Sequence, residues 1–233
     1  MMNGCRLTGV AAISLAVSFN VPYAVLASIY NYPQVLRGSA GEALELFRVG
    51  GPLLVLAWLG FMLSAVALVP LATALAITPA RLAKTPALAV GAAMTGALAG
   101  LAQAIGLSRW VFVVPGLARD HADPMQRLAA EHSFDLLNAW GGVAIGEHLG
   151  QLLTAMFALH VALMQRGERL RITSALGLLT AALIVLGAGE GPAIALGGSG
   201  QMFGLSTIVG FLGLTVWLIV TGAGLMRADP IFR

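Results

Sequence analysis

Glu147 and His148 stand side by side in GVAIGEHLGQLLT (142–154), a run apolar enough to sit in lipid. A carboxylate and an imidazole in that setting can take a proton, a cation or a metal, or hold a polar ligand. An ionised carboxylate near the bilayer midplane costs roughly 3 kcal/mol or more unless it is paired, hydrated or protonated. On a helix, Gln151 and Thr154 follow Glu147 at i+4 and i+7 and share its face, whereas His148 is turned by about 100°. Arg109 and Gln103 lie in the preceding apolar run, and Asn20 lies in the first, two residues before Pro22. An antiparallel neighbour brings Arg109 above Glu147 and Gln103 beside it. The expected pocket is therefore Arg109, Glu147, His148, Gln151, Gln103 and Asn20. Pro22 removes one helix bond and frees a carbonyl near residue 18. A Glu147–Arg109 ion pair that merely fixes helix register is the plain alternative. Function is the better expectation because ionisable groups inside a membrane are rare and costly.

Metal chemistry has thinner support. His148 can ligate a metal or haem, but no second intramembrane histidine shares its position. His160 lies roughly 18 Å further along the same helix. Asp120, His121, Asp123, Glu131 and His132 gather hard and borderline donors in one loop, with a spacing that matches no metal motif. His148, His121 and His132 are thus the only metal candidates, and a solvated loop is expected at the latter two. No motif implies a cofactor. The chain lacks a phosphate-cradling loop, a dinucleotide fingerprint, a zinc-protease helix motif and a GxSxG nucleophile. Binding is expected ahead of catalysis.

The elements that must position these groups are membrane helices. Of the 233 residues, 58% are hydrophobic and 10% charged, with a mean hydropathy of +0.89. Too little polar surface exists to clothe a soluble fold, so lipid is the solvent. Apolar runs of helical length select an all-α polytopic bundle over a barrel. About six transmembrane helices are expected in a single domain, at 7–30, 52–77, 87–116, 136–165, 172–188 and 202–226. Excluding Arg109, eight Lys and Arg fall on one side and four on the other. Both termini are therefore expected in the cytoplasm of a bacterium, with the protein in the inner membrane. The N-terminal run reads as a retained helix. The net charge of +3 follows from helix-end residues, and no basic stripe suggests nucleic acid. The single cysteine, Cys5, excludes an internal disulfide.

Of the three outer segments, 41–50 reads as a short interfacial helix, 118–135 gains helix propensity after Pro124, and GGSGQMFG (197–204) reads as a turn. Gly142, Gly146 and Gly150 form a bare stripe, and Gly96 and Gly100 lie in a similar stripe on the third span. The two are expected to pack together. Besides the lipid bilayer, a second copy of the chain or another membrane helix is the kind of partner such stripes suit.

Three segments, YPQVLR (32–37), LSRWVFVVPGLA (107–118) and GGVAIGEHLGQLLTAMF (141–157), together resemble a bacterial membrane family known as domain of unknown function 4386. The resemblance covers nearly the whole chain. It implies a several-span topology and stresses Arg109, Trp110, Glu147, His148 and Gly150. Gln34 stands where the family pattern implies an acid, which puts a role for that loop charge in doubt. The resemblance brings no activity with it. The residues favour a small-ligand or proton-coupled carrier or sensor. A metal- or haem-binding oxidoreductase and a non-catalytic assembly or regulatory partner are the alternatives.

Overall fold

The computed structural model of the chain describes residues 4–227. Six of its helical segments are long and apolar enough to cross a membrane, and no strand occurs among the described residues. Helix α1 spans Gly4–Ile29. Its Pro22 lacks the amide that would bond the Ser18 carbonyl. The Ser64 hydroxyl of α2 donates to that carbonyl instead, at 2.7 Å.

Helix α2 (Ala40–Ala76) starts at Ser39, whose side chain accepts the Glu42 amide at 3.2 Å. The Ser-x-x-Glu spacing is that of a capping box. The segment 41–50 and the second span are one element with a break at Gly51, where φ is 59°. That left-handed conformation suits glycine, and Pro52 begins the next leg where an amide is dispensable. The first leg is not an isolated interfacial helix. It buries Ala43, Leu44 and Phe47, and packs against α5 and α6.

Thr78 caps α3 (Pro79–Lys84), and Pro86 opens α4 (Pro86–Phe112). The loop 118–135 is helical for most of its length, as α5 (Val114–Ala122) and α6 (Arg127–Leu137). Beyond α6 the chain winds as a π-helix over Asn138–Leu149, then as α7 (Gly150–Gly167). The Gly150 amide still bonds the Ile145 carbonyl, five residues back. Helix α8 (Arg171–Gly187) leads to a short α9 (Glu190–Ala195). A turn with Gly197 and Gly200 at positive φ precedes α10 (Gln201–Arg227).

The long helices form a closed ring in the order α1, α2, α4, α7, α8, α10 and back to α1. Lipid tails are as apolar as leucine, so close approach and internal hydrogen bonds hold such a ring together. Gln103 of α4 donates to Thr154 of α7 at 2.8 Å. Trp217 of α10 donates to Gln165 of α7 at 3.1 Å, and Gln165 in turn donates to Thr221 at 3.2 Å. Such bonds contribute about 0.6 kcal/mol each. Leu56, Leu63, Leu98, Leu101 and Leu179 are exposed on the outside, facing what lipid would cover.

The third and fourth spans do pack together, but the two glycine stripes meet only in part. Gly96 sits between Ala72 of α2 and Phe157 of α7, and Gly100 faces α2, where an added Cβ would fall 2.6 Å from the Ala65 carbonyl. Gly146 meets Gly106 instead, and Gly150 meets Gln103. The α4 helix is wedged between α2 and α7, so its small residues serve two interfaces, with Gly100 on the α2 side and Gly96 between the two.

Candidate functional site

Where the helices separate at the end opposite the start of α1, they enclose a cavity of about 550 Å³. Its wall includes Asn20, Gln103, Arg109, Glu147 and Gln151, five of the six residues singled out above. Arg37, Glu190 and Gln201 lie toward its mouth, and Tyr32 lines it with Trp58 and Phe61 packed behind. The volume lies within the roughly 300–1,000 Å³ typical of small-molecule pockets.

Glu147 does not pair with Arg109. Its partner is Arg37, at 2.7 Å, from the 3-10 turn Gln34–Arg37 that folds back over the bundle. Arg37 also holds Glu190 of α9 at 3.0 Å. One guanidinium therefore ties the 31–38 segment, the π-helix and α9 together at the rim. Burial opposes the Arg37 charge, but Glu147 and Glu190 outweigh it and hold its pKa above the usual arginine value. Burial, followed by the Glu147 charge, raises the Tyr32 phenol well above its ordinary range. The Tyr32–Pro33 peptide bond is cis.

Arg109 is only 6% exposed. Its Nη1 donates to the Gly106 carbonyl at 2.5 Å, and its Nη2 donates to the Asn138 amide oxygen at 3.1 Å. Asn138 in turn donates to the Leu36 carbonyl at 3.3 Å. The Arg109 Nε–H has no acceptor, and among the described residues no carboxylate lies within ion-pair distance of this guanidinium. Its carbon lies 5.0 Å from the Trp110 ring centroid. Trp110 stacks on Trp58 at 4.6 Å and 7°, and the Trp58 Nε1–H is also buried without a partner. Gly142 is part of this arrangement, since an added Cβ would fall 2.5 Å from the Arg109 Nη2. Its place in the glycine stripe serves the arginine rather than another backbone.

Asn20 donates to the Ala16 carbonyl at 2.7 Å and to the Thr215 hydroxyl at 2.9 Å, which ties α1 to α10. Thr207 donates to the Gln151 side-chain oxygen at 3.4 Å. His148 is absent from the cavity wall. Its Nδ1 donates to the Ala188 carbonyl at 2.8 Å, because a carbonyl can only accept. The ring therefore braces the end of α8. His121 contacts Glu131 at 2.9 Å, and His132 is exposed. Among the described residues, no three His, Cys, Asp or Glu groups converge as a metal site.

The cavity narrows at Phe19 and Phe211, whose rings stack at 5.7 Å. Beneath them lies an apolar void of about 20 Å³ that shares Phe19, Gln103 and Phe211 with the cavity. Around and beyond it the helices pack through Leu15, Leu68, Leu71, Ala158 and Leu218. At that far end Arg81 of α3 grips both Glu168 oxygens, at 2.6 and 2.8 Å, and also donates to the Leu75 carbonyl.

Arg37 and Glu190 were missed because they lie in connecting segments, where helical periodicity says nothing about which side chain returns to the bundle. Trp58 carried no signal beyond its aromaticity. Neither a curated protein nor a solved structure matches the chain. The family model described as domain of unknown function (DUF4386) matches residues 7–222, nearly the whole sequence, and the chain belongs to that family.

Proposed function

We propose that this multi-pass membrane protein binds a small organic molecule within its helix ring and acts as its carrier or sensor. The carrying observation is the cavity of about 550 Å³, bounded by charged and aromatic side chains and closed at one end by packed helices. The ion pairs of Arg37 with Glu147 and Glu190 act as a latch at its rim. A proton or cation reaching Glu147 would loosen that latch. By the excess of Lys and Arg at the other end, the termini lie in the cytoplasm of a bacterium and the cavity opens away from it. His148 turns from the cavity to Ala188, which favours binding over chemistry at a histidine-held metal.

The test uses the full chain in phosphatidylcholine nanodiscs. Thermal stability and the fluorescence of the four tryptophans are measured against a panel of small aliphatic and aromatic compounds of varied charge. Leu107→Trp, which fills the cavity, is the control. The reading predicts that at least one compound raises the melting temperature and quenches fluorescence, and that Leu107→Trp abolishes both effects. A panel that moves neither signal overturns it.

A further inference from the structure

We propose that the ligand is an amphipathic organic monoanion, with its carboxylate or comparable anionic head held by Arg109. This deepens the ligand-binding reading and rests on it. Arg109, only 6% exposed, lies in the cavity wall, and its guanidinium donates only to neutral acceptors, the Gly106 carbonyl and the Asn138 amide oxygen. A buried cation without a counter-ion is costly, and a bound anion removes that cost. The other cation at the cavity, Arg37, takes both cavity carboxylates, Glu147 and Glu190, in direct contact, so Arg109 is the one left without a direct ionic partner. The Nε–H of Arg109 also lacks an acceptor, so this guanidinium has an unmet donor. Arginine suits a carboxylate or phosphate head through paired N–H donors.

The body of the ligand follows from the rest of the wall. Phe19 and Tyr23 of α1 and Ile208 and Leu212 of the neighbouring α10 give the cavity an apolar lining. Leu205 and Leu212 also line the cavity and are 66% and 55% exposed, which suits a molecule with an apolar tail.

The closing experiment measures binding of 4-phenylbutyrate, 4-phenylbutanol and 4-phenylbutylamine by fluorescence in phosphatidylcholine nanodiscs. The wild type is expected to prefer the carboxylate over the alcohol by about tenfold, with the amine weakest. Arg109→Gln is expected to erase that preference and Arg109→Lys to keep part of it. The wild-type series decides the matter even if Arg109→Gln fails to fold. Equal binding of all three compounds overturns the anion assignment while leaving the cavity reading intact. Failure of all three to bind overturns the assignment too, and the wider panel then decides whether the cavity reading falls with it. Phosphatidylglycerol in the nanodisc separates two sources of the head group. Weakened phenylbutyrate binding points to a bilayer lipid, and unchanged binding to a free anion.

Discussion

Gly106→Ala should damage the protein, although alanine is ordinarily the better helix residue. A Cβ at Gly106 would lie 2.6 Å from the Gly146 Cα and 2.9 Å from the Gly141 carbonyl. Both are backbone atoms, so no side chain can rotate away. The π-helical segment would have to retreat from α4 by about 1 Å to restore ordinary contact near 3.5–4 Å. Overpacking of this kind costs about 1–3 kcal/mol, against a gain of about 0.5–1 kcal/mol from replacing a helical glycine. The net expectation is a loss of about 1–2 kcal/mol. Gly141→Ala is the control, because its nearest neighbour would be the Leu137 Cδ1 at 3.8 Å. It should be neutral or slightly stabilising. The assay is reversible unfolding in mixed micelles with urea or sodium dodecyl sulfate, followed by tryptophan fluorescence. Equal stability of Gly106→Ala and Gly141→Ala would refute the claim that α4 and the π-helix touch backbone to backbone.

Ser64→Ala strands the Ser18 carbonyl that Pro22 leaves without its amide. A loss of about 1 kcal/mol is expected in the same assay, and Ser64→Thr should recover part of it. Arg37→Ala releases Glu147 and Glu190 together. With all three side chains partly exposed, screening limits the cost to about 1 kcal/mol. Hydrogen exchange should quicken in 31–38 and 189–200 while α7 stays protected. Burial raises the Tyr30 and Tyr32 phenols above the ordinary value near 10. The folded state therefore holds protons that the unfolded state releases. The resulting stability is fully present below about pH 10 and falls as pH rises above it. Tyr32→Phe should flatten that decline, as read from melting temperatures between pH 8 and pH 11. Unchanged curvature would contradict the burial of this phenol.

The six spans were legible because lipid demands about 20 apolar residues per crossing. The polar residues inside them were legible for the complementary reason, that burying them in lipid is costly. Glu147, Gln151, Gln103, Arg109 and Asn20 stood out against apolar neighbours, and all five line one cavity. Their pairing was not legible. Arg109 was nearest to Glu147 by helical register, yet Arg37 reaches Glu147 from a loop. The turn at 31–38 depends on Asn31 at φ 51° and on a capped start of α2, neither of which leaves a periodic trace. The facing of the fourth span was blurred by its π winding. A five-residue hydrogen-bond step replaces the four-residue one over Asn138–Leu149, so faces drawn at 3.6 residues per turn drift there. His148 was placed beside Glu147 by adjacency in sequence, whereas its ring belongs to the α8 end.

The central claim is a cavity within the membrane that opens toward one face. Thiol accessibility tests it most directly. In a Cys5→Ser background, Thr207→Cys places a thiol on the cavity wall, and Thr221→Cys places one among the packed helices of the other half. A charged, membrane-impermeant methanethiosulfonate is added to each face of oriented proteoliposomes in turn. The account predicts rapid labelling of Thr207→Cys from the face bearing 31–38 and 189–200, and slow labelling of Thr221→Cys from either face. Equal, slow labelling at both positions from that face would contradict it.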